Sequence, residues 1–367
     1  MERRAFLKQA GAGLAAGAAA APALAADLPA IKWRLASGFP KTVDAIFGAA
    51  ETVSKHVAAA TGGKFQISLF AAGEIVPTPG VLDAVKDGTV EMGHAASYWY
   101  IGKDPALAFD TAIPFGLNSR QQNAWLQEGG GLELLREFFK DYNIYPIPCG
   151  NTGTQMGGWF RKEIKSIEDL QGLKFRIGGF AGQVLAKLGV VPQQIPPADI
   201  YPSLEKGTID AAEWVAPYDD LKLGFAKVAK YYYYPGFWEG GAQLSLYVNA
   251  KKFAELPKEY QAILENACAF ANAEMQARYD ARNPHALKQL IAAGTQLRPF
   301  PNDVMAAAYK VTSELYEETA AKNPKFKKIY DHWKRFRDDQ LQWFAVAENR
   351  FDNFMQAARY GNFKGKK

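Results

Sequence analysis

Hydrophobic and polar positions between residues 31 and 95 follow the periods of strands and helices in turn. Residues 31–36 alternate as a strand, a helical pattern covers 43–60, and residues 64–70 alternate again. A helix over 79–87 and a short strand over 90–95 follow. Strand–helix–strand units build largely parallel sheets, and ligands bind outside the carboxyl ends of such strands. The pattern therefore predicts an α/β unit with a ligand site at one sheet edge.

The same kind of pattern begins again near residue 155. Strands are predicted over 156–161 and 172–177, and helices over 182–188 and 199–206. A further apolar strand, 209–215, follows the second of these helices. This half of the chain therefore predicts a second α/β unit.

A short phrase occurs once in each half and supports this division. Residues 85–93 read VKDGTVEMG, and residues 204–212 read LEKGTIDAA. In each phrase a predicted helix ends at Gly, and Thr, a β-branched residue and an acid follow. We expect two similar α/β lobes, 26–150 and 151–250, with a cleft between them.

From about residue 251 the pattern becomes almost wholly helical. One long helix is predicted from 257 to about 279, and further helices complete the region 251–367. The last helical stretch, interrupted at Gln340, carries apolar side chains at Ile329, Trp333, Phe336, Phe344, Ala347, Phe351, Phe354 and Ala358. This stripe would be about 45 Å long. It either bridges both lobes of one molecule or packs against a second subunit.

The first 25 residues have the pattern of an export signal rather than of a folded domain. Residues 3–8 match the twin-arginine motif, a run of Ala and Gly follows, and residues 23–25 supply a cleavage site. We expect the twin-arginine pathway to deliver the chain, already folded, to a bacterial periplasm. Cleavage would remove three basic side chains and one acidic side chain, which lowers the net charge from +5 to +3.

Charge and composition narrow the classes of partner. Lys and Arg residues are spread through acid-rich helices, which argues against nucleic-acid binding. The 367 residues are 48% hydrophobic and 22% charged, as in globular rather than disordered proteins. Cys149 and Cys268 are either bridged or buried as free thiols, and free thiols are favoured because one bridge contributes little to so large a chain.

Common cofactor and nucleophile motifs are absent from the sequence. It has no P-loop, no Gly-x-Gly-x-x-Gly after the first strand, no Gly-x-Ser-x-Gly and no Cys-x-x-Cys. The histidines lie far apart without the spacing of zinc ligands, at His56, His94, His285 and His332. We therefore expect surface or structural histidines.

Arg176 is the strongest candidate for binding an anion. It ends a predicted strand just before Gly178 and Gly179, where backbone can approach a ligand closely, and no acid lies within four residues. Such a guanidinium is suited to holding a carboxylate through two hydrogen bonds. Arg161 is a weaker candidate because Lys162 and Glu163 adjoin it.

Two carboxylates and an amide stand at the ends of apolar, aromatic strands. Glu213 precedes Trp214 at the close of one strand, Glu239 follows an aromatic pair, and Gln155 precedes another strand. A carboxylate costs several kcal/mol to bury unless a cation or metal accompanies it. Oxygen ligands of this type, with a backbone carbonyl, suit sodium or calcium rather than zinc.

The sequence resembles the periplasmic solute-binding proteins of tripartite ATP-independent periplasmic (TRAP) transporters. The likeness lies in residues 85–93, 157–162 and 204–213, and most specifically in 166–176, which read SIEDLQGLKFR. The pair Glu213-Trp214, Gln155 and the aromatic C-terminal stripe resemble the subgroup that binds 2-oxo acids such as pyruvate or 2-oxobutanoate.

This resemblance implies a two-lobed periplasmic binding protein fold, with two α/β domains, a ligand cleft and long C-terminal helices. By resemblance, Arg176 pairs with the carboxylate of the ligand, and a cation lies beside it. Sodium is favoured over calcium, although the sequence does not decide between the two. The residues matching the cation ligands are Gln155, Glu213, Trp214 through its backbone carbonyl, and Glu239. The aromatic residues expected to close over the ligand are Tyr98, Tyr100 and Phe115.

The resemblance also implies partners. The protein would change no covalent bond and would deliver its small organic anion to the membrane subunits of the transporter. The long C-terminal helix would be exchanged between the subunits of a homodimer. Lactate, another hydroxy acid or a dicarboxylate is the alternative ligand. A periplasmic lyase or hydrolase using Glu213 and Glu239 as acid and base, and a sensory or scaffold protein, are the other classes considered.

Overall fold

The computed structural model describes residues 28–359, so the expected export signal at 1–25 lies outside the described residues. The described part contains two β-sheets surrounded by helices. The strands are β1 (Ile31–Ser37), β2 (Phe65–Phe70), β3 (Met92–Ala95), β4 (Ile144–Asn151), β5 (Gly158–Phe160), β6 (Lys174–Arg176), β7 (Val191–Gln193), β8 (Ala211–Ala212), β9 (Tyr231–Tyr234), β10 (Gln243–Asn249) and β11 (Gln296–Pro299).

Most of the helices lie where the hydrophobic periodicity predicts them. They are α1 (Asp44–Ala60), α2 (Val81–Lys86), α3 (Ser119–Gln127), α4 (Gly131–Phe139), α5 (Gly179–Lys187), α6 (Pro197–Lys206), α7 (Pro217–Leu223), α8 (Ala250–Glu255), α9 (Lys258–Ala292), α10 (Asn302–Lys322), α11 (Pro324–Val346) and α12 (Glu348–Arg359). Within residues 28–359, no helix is both long and apolar enough to cross a membrane.

The first lobe is built on the sheet with strand order β2-β1-β3-β10-β4. Strand β1 pairs in parallel with β2 and β3, as the crossover pattern predicts. Helix α1 covers the sheet with an apolar face that includes Ile46, Val53 and Val57, all buried. Strand β10 pairs antiparallel with both β3 and β4.

The second lobe is built on the sheet with strand order β11-β9-β5-β8-β6-β7. Strand β6 is parallel to β7 and β8, whereas β5 is antiparallel to β8 and β9. Strand β11, from the region expected to be helical, joins the edge of this sheet in parallel with β9. The sheet is therefore mixed, and its strands come from distant parts of the sequence.

Strand β10 departs from the division expected at residue 150. It lies within 151–250, the range assigned to the second lobe, yet it completes the sheet of the first lobe. All seven of its residues are buried, as expected for an internal strand between two partners. The chain therefore returns to the first lobe before the C-terminal helices begin.

Helix α9 shows that the predicted end of the long helix at about 279 was wrong. The helix continues to Ala292 and passes through Pro284. Ala286 and Leu290, beyond the predicted end, are buried and continue its apolar face. This packing holds the last turns in place despite the hydrogen bond that Pro284 cannot make.

The C-terminal stripe divides between two helices, α11 and α12, at Ala347. In α11, Trp333 is buried, and Phe326 contacts Phe109 of the first lobe and Phe180 of the second. In α12, by contrast, Phe351 is 63% exposed and Phe354 48% exposed. Helix α11 therefore bridges the two lobes, whereas Phe351 and Phe354 on α12 are about half exposed or more.

Candidate functional site

The candidate residues reach one edge of the second sheet because of its strand directions. Arg176 ends β6 and Glu213 follows β8, and these strands are parallel. Gln155 precedes β5, which runs antiparallel to β8, and Glu239 follows β9, which is antiparallel to β5. Carboxyl ends of parallel strands and amino ends of antiparallel ones share an edge. The four side chains therefore converge although the sequence separates them widely.

Arg176 is buried and held by oxygen atoms. Its Nη1 donates to Oε2 of Glu213 at 3.1 Å and to the backbone carbonyl of the same residue, and its Nε donates to the carbonyl of Ile195 at 3.2 Å. The guanidinium also lies over the ring of Trp214, with its centre 5.3 Å from the ring centroid. A buried guanidinium in a fixed orientation is suited to bind a carboxylate.

The two carboxylates of this site resist ionisation. Burial, and then the charge of Glu239, raise the pKa of Glu213 well above its usual value, although Arg176 opposes both. Burial raises the pKa of Glu239 to about 7, although the charge of Arg176 and the nearby polar groups of Tyr98 and Gln155 oppose this. A bound cation would lower both pKa values because it stabilises the ionised forms.

Three buried oxygens fit a hard cation. Oε1 of Gln155, Oε1 of Glu213 and Oε2 of Glu239 have no hydrogen-bond partner within residues 28–359. The other amide atom of Gln155, Nε2, donates to Oγ1 of Thr152 at 3.0 Å, which leaves its oxygen free to bind a ligand. Carboxylate and amide oxygens are the donors that sodium and calcium accept, and unpaired buried acceptors are rare without such a reason.

Tyr98 joins the first lobe to this cluster. It lies in a 3-10 turn, Ser97–Tyr100. Burial, and then the charges of Glu239 and Glu213 across the cleft, raise the pKa of its phenol well above its usual value. A β-carbon at Gly178 or Gly179 would lie 3.1 or 3.2 Å from ring atoms of Tyr98. The glycine pair therefore admits close approach, as the sequence indicates, but its neighbour in this structure is a tyrosine of the other lobe.

Tyr100 and Phe115 make other contacts. The hydroxyl of Tyr100 donates to the carbonyl of Thr78 at 3.1 Å. Phe115, with a φ of 53°, stacks on Phe237 at 4.9 Å and meets Tyr309 edge-on. Of the three aromatic residues expected over the ligand, Tyr98 is the one whose pKa the charges of Glu239 and Glu213 raise, after burial.

A cavity of about 100 Å³ lies between the lobes beside Arg176. It is lined from the first lobe by Thr78, Pro79 and Trp99, and from the second by Arg176, Gly178 and residues 194–197. Sequence reasoning did not single out Trp99, although it adjoins Tyr98 in an aromatic run, nor Ile195, which acts through its backbone. Thr152 was missed because a lone threonine in a loop carries no pattern.

The other sequence candidates lie apart from this cluster. Arg161 is exposed just beyond β5. His94 is buried, with Nε2 3.0 Å from the carbonyl oxygen of Cys149, and burial lowers its pKa to about 4. Cys149 and Cys268 are buried free thiols, as favoured. Within residues 28–359, no three His, Cys, Asp or Glu side chains are arranged to hold a metal, and the cluster at Arg176 contributes two carboxylates.

This chain is similar to known proteins over most of its length. Residues 37–323 match DctP, the bacterial extracellular solute-binding protein family 7. A monocarboxylate 2-oxoacid-binding periplasmic protein of Nostoc sp. is 51% identical over 334 residues, which are 91% of this chain and 92% of the relative.

Solved structures share the fold. A TRAP transporter solute-binding protein of Bordetella bronchiseptica, a mixed-occupancy dimer with calcium and picolinate in one active site, has 55% identity and a TM-score of 0.89, covering 91% of this chain and all of that one. Another, from Pseudoalteromonas atlantica with bound sodium and pyruvate, has 42% identity and a TM-score of 0.85, over 88% of this chain and 98% of that one. The predicted two-lobed fold is confirmed.

Proposed function

This chain belongs to the DctP family of bacterial extracellular solute-binding proteins, and we propose that it binds a small 2-oxo monocarboxylate, such as pyruvate, between its lobes. It is a TRAP solute-binding protein, a class that binds small organic anions and works with membrane subunits. Its family consists of substrate-binding proteins rather than enzymes. We infer that it acts in the periplasm, and that residues 1–25 direct its export through the twin-arginine pathway.

The observation that carries this proposal is the pairing of Arg176 with buried, unpartnered oxygens. Arg176 can bind a carboxylate, and buried oxygens of Gln155, Glu213 and Glu239 lie near it without a hydrogen-bond partner. A cation could bind these oxygens. A 2-oxo acid offers a carboxylate and a neighbouring keto oxygen. Such a ligand can satisfy the guanidinium and complete the coordination of a cation at once.

We propose that this cation is sodium rather than calcium. When bound, it would offset the charge of the two carboxylates and accept oxygens from the ligand. Its protein ligands would be the side chains of Gln155, Glu213 and Glu239 with the carbonyl of Trp214. These four groups and the two oxygens of a 2-oxo acid supply six donors, the lower end of the six to eight oxygens that calcium takes. Relatives with either ion are known, so ion replacement is a direct test.

Tyr98 is proposed to close the cleft over the ligand. Its hydroxyl stays protonated at neutral pH and is able to donate, because burial and the charges of Glu239 and Glu213 raise the pKa of the phenol well above its usual value. Tyr100 and Phe115 support the surrounding wall, Tyr100 through Thr78 and Phe115 through Phe237. Closure of the lobes would mark the loaded protein for the membrane subunits.

Titration calorimetry of residues 26–367 tests this function. After removal of bound ligand and metal, pyruvate, 2-oxobutanoate, lactate and succinate are titrated with sodium, with calcium and with neither. We expect the 2-oxo acids to bind most tightly and to need a cation. Preference for lactate or succinate would support the alternative ligands, and binding of no organic acid would refute the proposal. Conversion of bound pyruvate, followed by NMR, would indicate an enzyme.

A further inference from the structure

Asp110 is a buried carboxylate outside the proposed ligand site. Its side chain has no exposed surface, and burial raises its pKa to about 6. The partners that the described residues give it are two hydroxyl groups: Ser97 donates to Oδ2, and Ser245 donates to Oδ1 at 3.0 Å. Burying a carboxylate without a cation is unfavourable, so Asp110 depends on these hydrogen bonds. A buried polar network of this kind is rigid when its bonds are made.

The network around Asp110 joins one turn to β10, an internal strand of the first sheet. Ser97 begins the turn Ser97–Tyr100, and its backbone N–H donates to Oγ1 of Thr111 at 2.7 Å. Its hydroxyl also contacts the hydroxyl of Tyr247. Ser245 and Tyr247 lie on β10, which pairs with β3 immediately before the turn. Through Ser97 and Ser245, Asp110 thus links the start of the turn to β10 of the sheet.

The same turn presents two aromatic side chains to the second lobe. Tyr98 lies against Gly178 and Gly179, and Glu239 is near enough for its charge to raise the pKa of the phenol. Trp99 lines the cavity beside Arg176. The backbone hydrogen bonds within the turn, from Trp99 to Ala96 and from Ile101 to Tyr98, are local. They shape the turn, but the bonds from Ser97 fix its position relative to the sheet.

We propose that Asp110 is a positioning residue for anion binding, which acts through Ser97 to hold Tyr98 and Trp99 against the second lobe. This role rests on the proposed function, because Tyr98 matters only if the cluster at Arg176 holds the ligand. Supporting residues of this kind influence metal affinity by 10-fold to 100-fold in other proteins. The predicted effect therefore falls on affinity as well as on stability.

The test compares Asp110→Asn with Asp104→Asn. Asp104 is also buried in the first lobe, where it accepts hydrogen bonds from Asn323 and, as N-cap of the 3-10 helix Pro105–Asp110, from the backbone of Ala106. Neither bond reaches the turn Ser97–Tyr100, and asparagine can also serve as an N-cap. We expect Asp110→Asn to weaken pyruvate binding about 10-fold and to speed deuterium exchange in residues 96–101. Asp104→Asn should leave both within about twofold. Unchanged affinity and exchange in a folded Asp110→Asn protein would overturn the proposal.

A double-mutant cycle separates positioning from general destabilisation. In a Tyr98→Phe background, which removes the hydroxyl that Tyr98 presents to the second lobe, Asp110→Asn should weaken binding by less than about threefold. Additive effects would overturn the proposal. If Asp110→Asn does not fold, Ser97→Ala breaks the same connection and leaves Ser245 on Asp110, with the same expectations. If the wild type binds no 2-oxo acid, the proposed function fails, and deuterium exchange alone decides whether Asp110 holds the turn.

Discussion

At the scale of single residues, the site brings together charged side chains whose burial would be unfavourable for each of them alone. Burial opposes the ionisation of both Glu213 and Glu239, and the charge of Glu239 further opposes that of Glu213. Arg176 offsets part of this charge through its contact with Glu213. The remaining negative charge is what a cation would neutralise. Binding of cation and anion should therefore be coupled.

Replacing Arg176 by alanine should weaken pyruvate binding about 30-fold or more, because a buried charged hydrogen-bond donor to the ligand is lost. Arg161→Ala is the matched control, since that arginine is exposed beyond a strand of the same sheet. Calorimetry on both variants checks the expectation, with circular dichroism confirming the fold. Equal affinities for the two variants would remove Arg176 from the site.

Affinity for the 2-oxo acid should fall as pH decreases from 8 to 6. The pKa of Glu239 is raised to about 7, and that of Glu213 is also raised, so protons compete with the cation in this range. Cation-dependent binding is therefore strongest above pH 7 and weakens by up to about tenfold per pH unit below it for each proton taken up. Calorimetry at several pH values with fixed sodium measures the slope. A flat profile would contradict the coupling.

At the scale of elements, strands and helices from distant parts of the chain meet to hold the site. Strand β4 leads directly into the loop of Thr152 and Gln155, and helix α9 packs against it. Asn272 of α9 accepts a hydrogen bond from the backbone of Gly150 at 3.0 Å. This contact also buries Cys149 of β4 and Cys268 of α9. The reactivity of the two thiols therefore reports on whether the contact is intact.

We expect both thiols to resist iodoacetamide in the native protein and to react after unfolding in urea. Neither has exposed surface, and burial raises the pKa of Cys268 well above its usual value, which suppresses the reactive thiolate. Mass spectrometry of the alkylated protein counts the added groups. Rapid labelling without denaturant would show that α9 separates from β4. No labelling in urea before reduction would indicate a disulfide.

At the scale of the whole molecule, the two lobes are joined by side-chain contacts as well as by the chain segments that connect them. Helix α11 contacts both lobes through Phe326, and Tyr98 spans the cleft. Beyond it, α12 leaves Phe351, Phe354 and Met355 about half exposed or more. An amphipathic helix with such a face is typical of an interface. We therefore infer that α12 packs against a second copy, as the resemblance to the 2-oxo acid subgroup implies.

Sedimentation of residues 26–367 should give the mass of a dimer at micromolar concentration. The double variant Phe351→Glu, Phe354→Glu places charges on the exposed face and should give a monomer. Ile291→Glu, at an exposed apolar residue near the end of α9, is the control and should remain dimeric. A monomeric wild type would refute the dimer.

The sequence was sufficient for local structure and for the chemical types of the site. Periodicity predicted the first crossover unit, because buried faces repeat with the period of their element. Arg176, Glu213, Glu239 and Gln155 stood out as polar residues at the ends of apolar segments. The prediction for the end of α9 failed because buried side chains beyond Pro284 hold the helix, and a local pattern does not contain that packing.

What only the tertiary structure decided is which of these parts meet. The sequence by itself determined the α/β lobes, the arginine and the carboxylates, since each depends on nearby residues and their burial. The return of β10 to the first sheet, the contact of Tyr98 with Gly178, and the place of Asp110 behind Ser97 depend on strand pairing between distant segments. The free energy of such contacts depends on three-dimensional neighbours, so spacing along the chain does not reveal them.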